Sequence, residues 1–206
     1  DGCMFLKKLS SSFFPSCEKY NREIISLLNT QLGEAPVIIV NRPISLLVSE
    51  AESKNIAINY IDGVSNRDYQ FKKLFEGNYR DTICSISKKR KLFILSPIPE
   101  MDTDVPKAAI NNTLFNTNFD EVSISTSRYQ AKNLEYLDII KRTASECNAT
   151  ILDTTTYLCD KTKCSGTINK KPLYFDNNHL TETGNKLLIP LFKTIWNQEN
   201  SLRNNH

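Results

Sequence analysis

An acidic side chain stands three residues before a histidine in the segment Asp176-Asn177-Asn178-His179. Of the two histidines in the chain, only His179 lies within the stretch that we expect to fold. A general base that works near neutral pH is usually a histidine, so His179 is the candidate. A carboxylate at Asp176 can reach the imidazole, fix its tautomer and stabilise the imidazolium. The same spacing suits a loop that Asp176 caps and in which His179 is structural, and the pattern alone leaves both interpretations open.

The composition indicates one folded domain. The 206 residues include 40% hydrophobic and 24% charged residues, which is enough for a core and excludes wholesale disorder. The net charge of +3 gives no reason to expect nucleic-acid binding. We interpret the basic run Lys88–Lys91 as a solvated helix end, with a nucleic-acid patch as the alternative. No apolar run approaches the ~20 residues that a membrane helix needs.

The six cysteines argue against a metal site, because no two of them form a CxxC pair and both histidines follow all of them. Cys3 and Cys17 flank a Ser/Phe-rich loop, and Cys159 and Cys164 close a small one. Both pairs are interpreted as disulfides, which implies an oxidising compartment. Six buried, reduced thiols are the alternative. The other two cysteines, Cys84 and Cys147, lie in predicted helices, and we expect them to be free and buried or at most loosely paired.

Short apolar runs alternate with stretches of helical periodicity, a pattern typical of α/β layered domains. The predicted strands cover residues 36–40, 91–96 and 150–153, and the predicted helices cover 16–33, 44–54, 68–89, 106–115, 127–147 and 181–196. Residues 57–66 are not assigned, 157–175 are predicted to form a disulfide-pinned hairpin, and 197–206 a polar, mobile tail. Because ligands bind at the carboxyl ends of parallel strands, Asn41-Arg42, Ser96–Glu100 and the loop 176–179 are expected at one edge.

The run Lys171–Gly184, which includes Tyr174-Phe175-Asp176 and His179-Leu180, resembles the end of the SGNH domain attached to bacterial membrane acyltransferases of the AT3 type. That family also has a cysteine pair before this run, as at Cys159 and Cys164. Other stretches agree in order with the family: Gly2-Cys3, Cys17 with Asn21, Val37–Arg42, Ser96–Glu100 and Val105-Pro106. The resemblance covers nearly the whole chain.

The resemblance implies a three-layer, flavodoxin-like α/β fold over residues 1–196 and a role in O-acylation, usually O-acetylation, of a cell-surface carbohydrate. It implies that His179 is the base and that Asp176 orients it. Asn41 and Arg42 become candidates for oxyanion or substrate contacts; alternatively, Asn41 caps a turn and Arg42 pairs with an acidic neighbour. No metal or bound organic cofactor is expected, and acyl-CoA is the expected ultimate donor.

The implied partner is a transmembrane acyltransferase domain in the same full-length chain, at the periplasmic face of the bacterial inner membrane. One departure from the family is that the sequence contains no Gly-Asp-Ser nucleophile motif. We expect the chain to start after that motif and to lack the first strand and helix. The serines at positions 10–12, expected in a loop, are poor substitutes. A domain that has lost its serine, a stand-alone carbohydrate esterase and a non-catalytic carbohydrate-binding module remain alternatives.

Overall fold

The computed structural model describes residues 3–43, 47, 58–114 and 122–203. Its helices are α1 (Cys17–Thr30), α2 (Phe71–Ser87), α3 (Val105–Leu114), α4 (Thr126–Cys147), α5 (Thr155–Leu158), α6 (Glu182–Leu187) and α7 (Ile189–Arg203). Its strands are β1 (Leu9–Ser11), β2 (Val37–Ile39), β3 (Asn59–Ile61), β4 (Val64–Ser65), β5 (Leu92–Leu95), β6 (Ser123–Ser125), β7 (Thr150–Leu152), β8 (Lys163–Ser165), β9 (Thr167–Ile168) and β10 (Lys171–Pro172). None of these helices is long and apolar enough to cross a membrane.

The chain divides into two compact units, of which the first contains residues 1–97 and 133–151 and the second contains residues 98–132 and 152–206. The three predicted strands form one sheet in the order β2-β5-β7. β2 and β5 pair in parallel, with Val37 opposite Leu92 and Ile39 opposite Ile94. All four residues of β5 are buried, which is why its sequence is continuously apolar rather than alternating.

The core of the first unit lies along one face of α2. Its aromatic and aliphatic side chains recur every three or four residues, the spacing that aligns side chains on one side of a helix, at Phe71, Phe75, Tyr79, Ile83 and Ile86. The second half of α4 packs into the same core, and the hydroxyls of Tyr79 and Tyr136 lie 3.1 Å apart.

The structure contains the predicted disulfides Cys3–Cys17 and Cys159–Cys164. It also contains a third, which contradicts our expectation that Cys84 and Cys147 are free: these two residues are bonded and link α2 to α4. Both residues lie on the sides of their helices that face each other. The sequence of either helix alone does not show which side faces the other helix. With all three bonds formed, no described cysteine is free.

Other expectations also need correction. The serines at 10–12 do not lie in a loop throughout, because β1 pairs antiparallel with β3, which with β4 forms the hairpin in the unassigned region 57–66. The basic run is not fully solvated: Arg90 is buried and its guanidinium donates to the carbonyls of Leu28 and Ala35. α7 continues past residue 196 to Arg203. The predicted helix over 44–54 lies outside the described residues, apart from Leu47.

The second unit holds the Asp176–His179 loop. β6 pairs antiparallel with β8, and β9 with β10, so that the small sheets leading into the loop are hydrogen-bonded in pairs. Gly166, which connects β8 to β9, lies so close to the residue before β6 that an added Cβ would be 2.9 Å from the Val122 carbonyl oxygen. The predicted hairpin over 157–175 is thus a series of short elements, which include α5, rather than one long hairpin.

Candidate active site

The loop that contains Asp176 and His179 is closed at its base by the residues that flank it. The Thr181 N–H donates to the Leu173 carbonyl at 2.8 Å, and the Phe175 N–H donates to the His179 carbonyl at 2.7 Å. Tyr174 and Leu180 bridge the two sides and are buried, so the apolar side chains hold the loop to the unit while its tip faces solvent.

Two backbone bonds from another segment fix the loop from outside. The Met101 N–H donates to the Asn177 carbonyl at 2.7 Å, and the Val105 N–H donates to the Asp176 carbonyl at 3.0 Å. Met101 and Val105 are themselves buried. The Pro-rich stretch after β5 therefore supports the loop through its main chain, a role that side-chain types in the sequence could not indicate.

The helix after the loop begins at a fixed point. Thr181 is the N-cap of α6, and its hydroxyl accepts a hydrogen bond from the Gly184 N–H at 3.2 Å. An added Cβ on Gly184 would lie 2.3 Å from the Leu173 carbonyl oxygen, closer than any real Cβ contact. Only glycine allows the first turn of α6 to lie against the loop's base. The Thr-x-x-Gly spacing after His179-Leu180 was visible in the sequence, but its structural reason was not.

The Asp176 carboxylate makes two kinds of contact at once. Its Oδ1 accepts hydrogen bonds from the N–H groups of Asn178 at 2.7 Å and His179 at 2.8 Å. Its Oδ2 lies 2.7 Å from His179 Nδ1. When Nδ1 carries the proton and donates to this oxygen, Nε2 is left with its lone pair. Capping the loop and orienting the imidazole, which the sequence presented as alternatives, are performed here by the two oxygens of one carboxylate.

The environment keeps the Asp176 carboxylate ionised. Partial burial favours the protonated form, but this effect is outweighed by the Asn178 N–H bond and by the ring, N–H and charge of His179, so the pKa falls to about 2. The His179 side chain is 70% exposed, whereas that of Asp176 is 41% exposed. The imidazole therefore presents an accessible nitrogen, Nε2, while its other nitrogen, Nδ1, is held by a carboxylate that is charged at any physiological pH.

Asn41 does not present its amide to solvent. Its Oδ1 accepts a hydrogen bond from the Phe5 N–H at 3.0 Å. Its Nδ2 is buried without a completed hydrogen bond and faces the hydroxyls of Tyr79 and Tyr136. Burial raises the pKa of both tyrosines, to about 12 for Tyr136, and the Asn41 amide opposes this rise. This orientation favours a structural role for Asn41.

Arg42 follows Asn41 after the end of β2 and is exposed. Both residues belong to the first unit, whereas Asp176 and His179 belong to the second. Of the residues singled out from the sequence, the structure joins Asp176 to His179 and joins the cysteines in pairs. In the ranges that the structure describes, no three His, Cys, Asp or Glu side chains are grouped as metal ligands.

Two of the serines at 10–12, Ser11 and Ser12, are held by the structure around them. Ser11 lies in β1 and is only 4% exposed, which leaves no space for a substrate at its Oγ. The Ser12 Oγ accepts a hydrogen bond from the Ile58 N–H at 3.0 Å and its own N–H donates to the Ile58 carbonyl at 2.8 Å. These contacts extend the β1–β3 pairing beyond the strand itself.

Comparison with known families identifies the chain. The model of the SGNH domain that is fused to AT3 domains matches residues 1–194. The chain belongs to this family. No curated protein matches the sequence. Among solved structures, this SGNH domain is similar to the periplasmic domain of the lipopolysaccharide acetyltransferase of Salmonella ser. Paratyphi A, with a TM-score of 0.56 and 17% identity over 95% of this chain and 67% of that one. At this identity the similarity confirms the α/β fold alone.

Proposed function

We propose that this SGNH domain is the periplasmic part of a membrane acyltransferase that O-acylates, and specifically O-acetylates, a cell-surface carbohydrate. The observation that supports this most directly is the 2.7 Å contact between Asp176 Oδ2 and His179 Nδ1 on an exposed loop. Membership of a family fused to AT3 domains supports a membrane acyltransferase domain as the partner in the same full-length protein. The proposed location is the periplasmic face of the inner membrane, where the three disulfides would be stable.

In the proposed mechanism, His179 transfers protons in both halves of the reaction. In the first half, Nε2 takes the proton of a serine hydroxyl, the serine oxygen attacks the acyl carbonyl, and the proton passes to the leaving group of the donor. In the second half, Nε2 takes the proton of a sugar hydroxyl, which attacks the acyl-serine, and returns it to the serine. Asp176 stays ionised throughout, because its pKa of about 2 is far below the working pH.

We propose that the nucleophile is a serine of a Gly-Asp-Ser motif outside these 206 residues. No such motif stands in the sequence, and the surroundings of Ser11 and Ser12 leave neither in the position of an activated hydroxyl. The ultimate acyl donor in this proposal is acyl-CoA, handled by the membrane domain, and the chemistry needs no metal or bound organic cofactor. Arg42 remains a candidate for contact with the oxyanion or substrate.

The test uses the full-length protein with the two histidines of these 206 residues replaced one at a time. The His179→Ala variant should lose transfer of the acetyl group to the surface glycan, whereas His206→Ala, which removes the other histidine, should keep it. Loss of transfer in both variants, or in neither, would contradict the proposal. An esterase is distinguished in the same assay, since it would release acetate from acylated glycan without modifying new hydroxyls. A binding module would leave transfer unaffected by His179→Ala.

A further inference from the structure

A groove on the first unit has no part in the chemistry described above. It has a volume of about 850 Å³ and lies between the turn before β1, the tip of the β3–β4 hairpin and the N-terminal half of α2. We call it the lysine groove; the residues that line it include Lys7, Lys8, Asp62, Tyr69, Lys73 and Gly77. Its volume is in the range of sites that hold small organic ligands.

The floor of the lysine groove is one side of α2. Lys73, Gly77 and Asp81 line it at successive intervals of four residues, the spacing of one helix face. A Cβ added at Gly77 would meet nothing within 4 Å, so the absent side chain leaves open space. The turn above is tied to this floor, because the Lys7 N–H donates to Thr82 Oγ1 at 3.2 Å. The floor of the groove is thus a helix face, and the turn over it is hydrogen-bonded to that helix.

The charges in the lysine groove do not cancel. Lys8 pairs with Asp62 at 2.9 Å, and Asp81 lies 3.5 Å from the Arg80 guanidinium, so both acidic side chains already have cationic partners. The ammonium groups of Lys7 and Lys73 form no ion pair with any residue that the structure describes. Two lysines at one concave site favour an anionic occupant.

An aromatic side chain stands beside these lysines. Tyr69 precedes α2 and is 87% exposed, and its hydroxyl accepts a hydrogen bond from Gln70 Nε2 at 2.9 Å. The face of an aromatic ring carries partial negative charge and attracts the weakly positive C–H groups of a flat molecular face, such as that of a pyranose. An inorganic anion would use the lysines but would gain nothing from the ring and would leave most of the volume empty.

We propose that the lysine groove binds an acidic sugar unit, one that carries a carboxylate, with its anion at Lys7 and Lys73 and its ring against Tyr69. The choice of a sugar rests on the proposed function, in which the acceptor is a carbohydrate. The groove gives the domain a glycan-binding subsite that does not involve His179 and that selects acidic chains.

The first test compares binding of trigalacturonate, neutral maltotriose and inorganic phosphate to the protein by titration calorimetry at low salt. Trigalacturonate should bind at least about tenfold more tightly than either of the others. The double variant Lys7→Gln/Lys73→Gln should weaken it by about tenfold, the scale of exposed charge contacts, whereas Lys88→Gln/Lys89→Gln, the same charge change at the far end of α2, should not. Equal binding of maltotriose or of phosphate, or equal loss in both double variants, would overturn the proposal.

The second test uses Gly77, where a side chain should fill the groove without disturbing the helix. Gly77→Phe should abolish binding of trigalacturonate, whereas Gly77→Ala, which adds one methyl group, should retain it at an unchanged or higher melting temperature. His179→Ala should bind as the unaltered protein does, so failure of the groove proposal is distinguishable from failure of the acyl-transfer proposal. Unimpaired binding in Gly77→Phe, or none in the unaltered protein, would refute the subsite.

Discussion

Replacing Asp176 with Asn separates the two functions of its carboxylate. The Asn oxygen can still accept the N–H groups of Asn178 and His179, which Asp176 Oδ1 accepts at 2.7 and 2.8 Å. The Asn nitrogen then occupies the position of Oδ2, 2.7 Å from His179 Nδ1, and donates to it. Nδ1 must therefore accept, and the proton moves to Nε2, where it prevents the imidazole from acting as a base. The loop is kept while the tautomer is reversed.

The size of the effect follows from how exposed the pair is. In a serine protease, the same substitution lowers turnover by about 10⁴ because it leaves the imidazole in the wrong tautomer. Here the His179 side chain is 70% exposed and that of Asp176 is 41% exposed, so water can solvate a ring in the productive tautomer. We therefore expect a smaller loss, of about 10²–10³ in turnover, or roughly 3–4 kcal/mol of transition-state stabilisation.

The assay is acetyl transfer to the surface glycan by full-length protein at matched expression and matched melting temperature. Asp160→Asn is the matched control, because Asp160 Oδ1 also caps a loop, accepting the N–H groups of Thr162 at 2.7 Å and Lys163 at 2.8 Å, but holds no imidazole. It should retain full activity. If Asp176→Asn transfers acetyl groups as fast as Asp160→Asn, then Asp176 is only a loop cap and the assignment of the pair is refuted.

Three further predictions concern stability. Cys84→Ala/Cys147→Ala opens a cross-link between residues 63 positions apart and should lower the free energy of unfolding by about 4 kcal/mol in urea titrations; an unchanged midpoint would contradict this. Gly184→Ala should lower the melting temperature by an amount equivalent to about 1–3 kcal/mol, while Gly77→Ala should not lower it; equal melting temperatures would contradict the crowding described. Because the pKa of Asp176 falls to about 2 in the folded state, its ionised form stabilises the fold above about pH 4 and less as pH falls through 2, so acid titrations of the original protein and Asp176→Asn should converge there rather than stay offset.

The features that the sequence predicted well are those that depend on neighbouring residues. The continuous apolar run at 92–95 identified a buried strand, since a strand covered on both faces needs no polar alternation. The run at 37–40 also identified a strand, but the prediction that it is buried on both faces was wrong, because Ile38 is 36% exposed and Val40 is 60% exposed. Asp176 and His179 are three residues apart in one loop, so a single turn of that loop is enough to bring their side chains into contact. The Cys84–Cys147 bond, by contrast, depends on which sides of two helices face each other, and that is decided by packing around residues such as Tyr79 and Tyr136.

Asn41 shows why position at a strand end is weaker evidence than local spacing. From the sequence, an amide just after β2 was a reasonable oxyanion donor, because such residues lie where ligands bind. In the structure, the Phe5 N–H needs an acceptor and takes Asn41 Oδ1 at 3.0 Å, which turns the amide nitrogen toward two buried tyrosine hydroxyls. An amide whose oxygen already accepts a hydrogen bond and whose nitrogen is buried is poorly placed to donate to an oxyanion that develops in solvent. The contacts of Asn41 within the first unit are therefore enough to explain an amide at this strand end.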